Sequence, residues 1–217
     1  MPIDPIAELG PMSREVRDST RDGQPSRLLV ASRVYDTDQA DLWDALTSPA
    51  RIPRWFLPIS GELKLGGRYQ FQGNAGGTIT ACEPPRRVGI TWEMGPQVSW
   101  VDLVLTPEGN GTRLELRHEA AATPEGQAFW DQYGPGAVGV GWDLGFYGLD
   151  QHLKGPAATV PMEQREAWAT SPDALAIYRV SSDAWGEASI AAGTPEADAR
   201  AAAERTRQFY TGETPPG

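Results

Sequence analysis

The sequence predicts an α+β fold: a curved antiparallel sheet of six to seven strands wrapped around a long C-terminal helix, followed by a helical C-terminal extension. Three observations carry that prediction. From Glu62 to Glu119 apolar and polar residues alternate with period two, cut at short intervals by Gly- and Pro-rich turns. A helical pattern over 138–153 is apolar on two sides and therefore needs cover on two sides. Between the first strand and the alternating region lies a short amphipathic helix, so the order is helix, run of strands, helix.

The elements follow in chain order. Residues 1–13 are Pro-bearing and weakly patterned, which suggests a loose lead-in. Residues 14–20 and 27–35 form two arms around Asp22-Gly23, a hairpin turn signal. The second arm, Leu28 to Tyr35, is a strong strand pattern. The first holds only Val16 as a large apolar residue and so belongs at a sheet edge. Asp36 or Thr37 caps a helix to about Leu46 with Leu42, Ala45 and Leu46 as its stripe. Ser48-Pro49 starts one further turn before Pro53. Strands are expected over 61–65, 68–73, 77–83, 88–93, 98–106 and 112–119, and their short connections make them a meander.

Alternation also assigns faces. Tyr69 and Phe71 share one side, as do Val88, Ile90 and Trp92, and Val101, Leu103 and Leu105. Leu114, Leu116 and His118 share the inward side of the last strand, opposite Arg113, Glu115, Arg117 and Glu119. A short helix is expected near 126–133. The helix over 138–153 carries Val138, Trp142, Phe146, Leu149 and Leu153 on one stripe and Val140, Leu144 and Tyr147 on another, despite four internal glycines. Ser171-Pro172 and Thr194-Pro195 open two Ala-rich helices with Gly193 between them, anchored by Trp168, Tyr178, Trp185, Phe209 and Tyr210. The resulting division is 1–26 lead-in and edge strand, 27–155 main domain, and 156–217 an extension packed on it.

Bulk properties exclude several functions. A net charge of −10 opposes both nucleic acid and an anionic membrane surface. Cys82 is the one cysteine, which rules out an internal disulfide and a multi-thiolate zinc site. The two histidines have no metal-ligand spacing, so neither metal nor cofactor is expected. No apolar run approaches membrane-spanning length, and the first 27 residues show no signal-peptide pattern. The cytoplasm is the expected compartment.

Taken together, Leu42-Trp43-Asp44-Ala45-Leu46-Thr47 with Pro49 and Trp55-Phe56, Gly66-Gly67-Arg68-Tyr69, Gly77-Thr78-Ile79, Glu83-Pro84-Pro85, Thr91-Trp92, Gly111-Thr112-Arg113-Leu114 and Gly141-Trp142 form an ordered set. The set resembles the activator-of-Hsp90-ATPase-like branch of the START/polyketide-cyclase superfamily (SRPBCC) over about residues 27–155. The resemblance implies a helix-grip fold with a cavity between sheet and last helix. It does not imply Hsp90 activation, which goes with eukaryotic members bearing a further N-terminal domain for which this chain has no room. It is silent on residues 156–217. Fold alone does not deliver a function.

The chemistry is weaker than the container. There is no nucleophile elbow, no His-Glu-x-x-His and no phosphate-binding loop; Gly73 to Gly77 joins two strands and is a turn. His118 is the sharpest candidate, as a ligand's polar handle or an acid/base with Asp143 or Glu115 as orienter. The commoner role for such a residue is a buried, hydrogen-bonded histidine. His152 reads as a cation at a helix C-terminus or a surface residue. Asp143 and Asp150 share a helix face about 10.5 Å apart, which suggests a solvated stripe. Arg68 falls opposite Tyr69 and Phe71, in a surface ion pair.

The expected function is non-catalytic binding of a small hydrophobic or amphipathic molecule by Trp55, Tyr69, Phe71, Trp92, His118, Trp142 and Phe146. One alternative is a polyketide-cyclase or aromatase-like enzyme with His118 as acid/base. Another is a protein-interaction module acting through the extension, marked by an exposed patch over Trp168 and Trp185.

Overall fold

A computed structural model describes residues 4–9 and 11–213. The fold is α+β and of the helix-grip class, with eight strands rather than six or seven, in the order β1-β2-β8-β7-β6-β5-β4-β3. The count rises at the two edges of the sheet. The N-terminal hairpin supplies β1 (Ser13–Arg21) and β2 (Gln24–Tyr35), joined through Asp22 and Gly23 at φ 50° and 79°. Two successive positive φ values give a turn whose twist matches the strands, and β1 is the expected edge. At the other edge is β3 (Ile59–Gly61), displaced from the strand expected over 61–65, where the chain instead turns through Gly66, at φ 76°, and Gly67.

The remaining strands lie close to expectation: β4 (Arg68–Phe71), β5 (Gly76–Glu83), β6 (Arg87–Met94), β7 (Gln97–Glu108) and β8 (Gly111–Ala121). Each pairs antiparallel with its sequence neighbour. A helix α1 (Pro5–Leu9) occupies the expected loose lead-in, with Leu9 and Met12 buried; residues 1–3 and 10 lie outside the described residues. The next helix, α2 (Gln39–Thr47), is capped by Asp38, one residue beyond the expected cap, whose carboxylate accepts from Asp41 N at 2.8 Å. The turn α3 (Ile52–Trp55) begins later than expected and contains Pro53 in its first positions, where a missing N–H costs nothing. After the sheet come α4 (Pro124–Tyr133), α5 (Gly136–Lys154), a 3-10 turn over Met162–Gln164, α6 (Arg165–Trp168), α7 (Pro172–Ala191) and α8 (Glu196–Thr211).

The chain divides into two compact units. The first holds residues 1–31, 121–147 and 161–217. Its apolar centre is Val140 of α5 with Ala174 and Tyr178 of α7, joined by Leu144, Trp168 and Tyr210. Trp185 and Tyr178 are the buried anchors the sequence expects, and Tyr147 stacks on Trp168 at 5.7 Å. Phe209 is no anchor: it is 58% exposed, with its ring against Tyr133 and Tyr210. Nor does an exposed patch form over Trp168 and Trp185, because Trp185 is fully buried under Gly139.

The same unit overturns the solvated stripe. Asp143 is fully buried; Arg14 Nε donates to its Oδ2 at 2.9 Å and Ser181 donates to the same oxygen. Burial pushes the carboxyl above its usual range, against the pull of the Arg14 charge and the Ser181 hydroxyl. The Trp185 indole N–H also favours the carboxylate, yet it sits outside hydrogen-bond geometry, which leaves Trp185 Nε1 and Asp143 Oδ1 unmatched. Removing one partner strands the other charge in the interior. Asp143→Asn should therefore cost about 3–5 kcal/mol in denaturant unfolding, and Arg14→Met with Asp143→Leu should recover most of it.

The second unit holds residues 32–120 and 148–160. Its sheet core is Tyr69, Phe71 and Ile79 with Ile52 of α3, flanked by Phe56, Leu57, Val88, Ile90 and Trp92. The last turns of α5 are tied in by Asp150, 8% exposed, which binds Arg33 at 2.8 Å and Lys154 at 2.7 Å. His152 is not a cation at the helix end. Burial and the charges of Arg51 and Arg54 push its pKa down, and Arg51 Nε donates to its Nε2 at 3.3 Å.

Two glycines of α5 are steric necessities. A Cβ on Gly139 would lie 2.3 Å from the Trp185 ring, and one on Gly148 would lie 2.5 Å from the Trp55 carbonyl. Gly→Ala inside a helix ordinarily stabilises by about 1 kcal/mol. Here the sign reverses: Gly139→Ala and Gly148→Ala should each lower stability by about 1–3 kcal/mol in urea titrations.

Candidate functional site

The candidate site is built on the inward side of β4–β8 in the second unit. Cross-strand neighbours point to the same side of a sheet, so the register fixes its membership. His118 stands opposite Val101, Leu116 opposite Leu103 and Leu114 opposite Leu105. Trp92 stands opposite Ser99, and Ile90 opposite Val101. Tyr69 stands opposite Gly77, which has no room for a side chain because its Cβ would meet the Thr91 carbonyl at 2.1 Å.

Across these strands runs a chain of rings. Phe56 meets Phe71 edge-on at 5.0 Å, Tyr69 meets Phe71 at 5.3 Å, Phe71 meets Trp92 at 5.7 Å, and Trp92 meets His118 at 6.5 Å. Trp55 joins through Phe56 at 5.5 Å, while its indole N–H donates to the Ala45 carbonyl at 2.9 Å and ties α3 to α2. Tyr69, Phe71 and His118 are buried, whereas Trp92 and Ser99 are half-buried. Tyr69 Oη donates to the Thr91 carbonyl at 2.7 Å, and burial raises its phenol pKa, so it stays protonated.

His118 Nε2 and Ser99 Oγ are hydrogen-bonded at 2.7 Å, and Ser99 Oγ also reaches the Trp92 carbonyl at 3.3 Å. Burial pushes the imidazole down to about 4, so it is neutral at pH 7. Neither expected orienter serves this histidine. Asp143 is committed to Arg14 and Ser181, and Glu115 lies on the outer face with Arg117. Ser99 is the residue that sequence reasoning missed. Its signal was available: it continues the period-two row of Val101, Leu103 and Leu105.

Of the other expected contacts, Trp142 is half-buried and Phe146 is 3% exposed, both on the stretch of α5 that belongs to the first unit. Arg68 takes the expected surface ion pair, with Glu93 at 2.8 Å. Among the described residues no cluster of His, Cys, Asp or Glu could hold a metal ion, and no helix is long and apolar enough to cross a membrane.

Residues 36–154 match the family model described as Activator of Hsp90 ATPase homolog 1-like protein. The chain belongs to that family. Similar solved structures include CalU16 from Micromonospora echinospora, whose crystal structure is 31% identical with a TM-score of 0.65, over 84% of this chain and 99% of CalU16. The solution structure of CalU16 aligns at 28% identity and TM-score 0.62 over 93% of this chain and 94% of that one. Protein MLL2253 from Mesorhizobium loti aligns at 25% identity and TM-score 0.51, over 59% of this chain and 97% of its own. The likeness to CalU16 thus reaches well beyond the family segment 36–154. No functionally curated protein matches the chain by sequence.

The depressed histidine has a thermodynamic consequence. Below pH 6.5 the unfolded chain binds a proton at His118 that the folded chain refuses until about pH 4. Stability should fall with pH across that window by about 1.4 kcal/mol per unit, or about 3 kcal/mol in all. His118→Gln should remove that part of the acid sensitivity, read as the difference between the two proteins' unfolding free energies at pH 7 and pH 4.5.

Proposed function

We propose that this protein binds a small hydrophobic or amphipathic molecule without catalysis, on the inward side of β4–β8. Tyr69, Phe71 and Trp92 supply the apolar contact, Trp55 acts through Phe56, and His118 with Ser99 forms the polar handle. One observation carries the reading. The ring chain runs from buried Phe71 to half-buried Trp92 and stops at a hydrogen-bonded Ser99–His118 pair, an apolar surface with a single polar terminus. Trp142 and Phe146, which the sequence adds to the ligand set, belong to the other unit, and the proposal stands on the second unit's residues. Cytoplasmic residence is part of the proposal, on the composition alone.

The state of His118 favours binding over turnover. A general acid or base works best with a pKa near the working pH, and this imidazole, held near 4 by burial, is a poor one. A protein partner is the second reading. Its support is the ring run Phe129–Tyr133–Phe209 on α4 and α8, whose phenylalanines are 45% and 58% exposed.

Thermal unfolding against neutral lipids, fatty acids and aromatic polyketide-like compounds tests the proposal. A ligand of the native state should add about 2.7 kcal/mol of stability at a hundredfold excess over its Kd. Trp92→Ala should abolish the shift, and His118→Gln should weaken it. A panel without a single hit in the wild-type protein would reject the binding reading.

A further inference from the structure

The register of the second unit separates charge from its absence. Arg68, Glu93, Arg87, Asp102, Arg113, Glu115 and Arg117 all fall on the outer side of β4–β8. There they pair with one another or with neighbours: Arg68 with Glu93 at 2.8 Å, Arg87 with Asp102 at 2.7 Å, and Arg113 with Glu108 at 2.5 Å. On the inward side the same strands carry no lysine, arginine, aspartate or glutamate. Its polar groups are hydroxyls, one imidazole, the Cys82 thiol and the Gln97 amide at the exposed start of β7. Tyr69 and Thr112 donate their hydroxyl hydrogens to the carbonyls of Thr91 and Thr37. The hydrogen-bonding pair beside Trp92 is Ser99 with His118.

Inward charge appears in this unit on β2 and α5. Ser32 takes a bond from outer-side Arg113, so the next residue, Arg33, points inward, where Asp150 neutralises it. Tyr35, two residues further on, crosses Gly111, whose Cβ would meet the Tyr35 carbonyl at 2.2 Å. His118 lies well along β8 from that crossing, which sets Arg33 on the order of 15 Å from it along the strands. Lys154 is likewise bound to Asp150.

We propose that this site accepts uncharged, oxygen-bearing aromatic molecules, phenols, ketones or esters, and rejects the corresponding carboxylates. The inference deepens the binding reading and rests on it. A ring laid along Phe71 and Trp92 brings its polar substituent to Ser99 and His118. A neutral oxygen there exchanges water for a hydroxyl and an imidazole, at little net cost. A carboxylate there would leave water for an apolar face to which strands β4–β8 bring no cation, a transfer penalised by several kcal/mol. The histidine does not supply the missing charge, since burial holds it neutral at pH 7.

The test uses three probes of one shape on the full chain at pH 7.5: 2-naphthol, methyl 2-naphthoate and 2-naphthoate, titrated with amide chemical shifts as the readout. The two neutral probes should shift β6–β8 and bind at least about tenfold more tightly than the carboxylate. Ser99→Lys places a cation at a half-buried position beside Trp92 and should invert the order, with the melting temperature confirming that the variant is folded. Naphthoate binding to the wild type as tightly as naphthol, at those same strands, overturns the selectivity and leaves the binding reading intact. Absence of any shift with all three probes rejects both.

Discussion

Two carboxylates buried on one helix govern the way this chain is put together. Asp143 and Asp150 both leave water completely or nearly so, and each is matched by an arginine from the N-terminal hairpin, Arg14 of β1 and Arg33 of β2. A buried ion pair contributes little net stability compared with apolar packing, but a mispaired one is heavily penalised. Such pairs therefore act on choice rather than strength. Within the first unit, only one rotation of α5 brings Asp143 to Arg14 and Ser181; within the second, the same holds for Asp150 and Arg33. The glycines at 139 and 148 meet this demand, letting Trp185 and the Trp55 backbone approach the helix surface without a side chain between them.

Much of the fold was legible because its signals are local. Period-two alternation placed five of the sheet's strands within a few residues, Asp22-Gly23 announced the hairpin, and Ser171-Pro172 and Thr194-Pro195 announced the last two helices. What the sequence concealed was long-range. On a helical wheel Asp143 and Asp150 fall between two apolar stripes, and a charge in that position defaults to solvent. Nothing near them reveals partners 129 residues away for Asp143 or, for Asp150, on β2. One clue was present: alternation in Leu29, Ala31, Arg33, Tyr35 puts an arginine on an apolar face, and an inward arginine needs a buried acid.

The candidate site divides along the same line. Tyr69, Phe71, Trp92 and His118 could be placed on one face by alternation, and the structure brings their rings together in a continuous path. Alternation also put Ser99 on the inward row, but its pairing with His118 shows only once the register sets it opposite Trp92. Charge segregation across β4–β8 is likewise a property of the assembled register. Each strand alternates on its own, but only the aligned ladders show that every formal charge falls on one side.

The separation between Arg14 and Asp143 also bears on how the chain is made. The interval of 129 residues is more than half of the 217-residue chain, and Ser181, the other donor to Asp143, comes 38 residues later still. Entropy of loop closure must be met before such contacts repay it, so topologies dominated by them assemble slowly. On a ribosome adding about 5–20 residues per second, β1 emerges many seconds before its helix and longer before α7. The first strand of the protein is thus held in its final place by nearly the last segments to be synthesised, and an arginine-bearing edge waits, hydrated, until the C-terminal helices arrive.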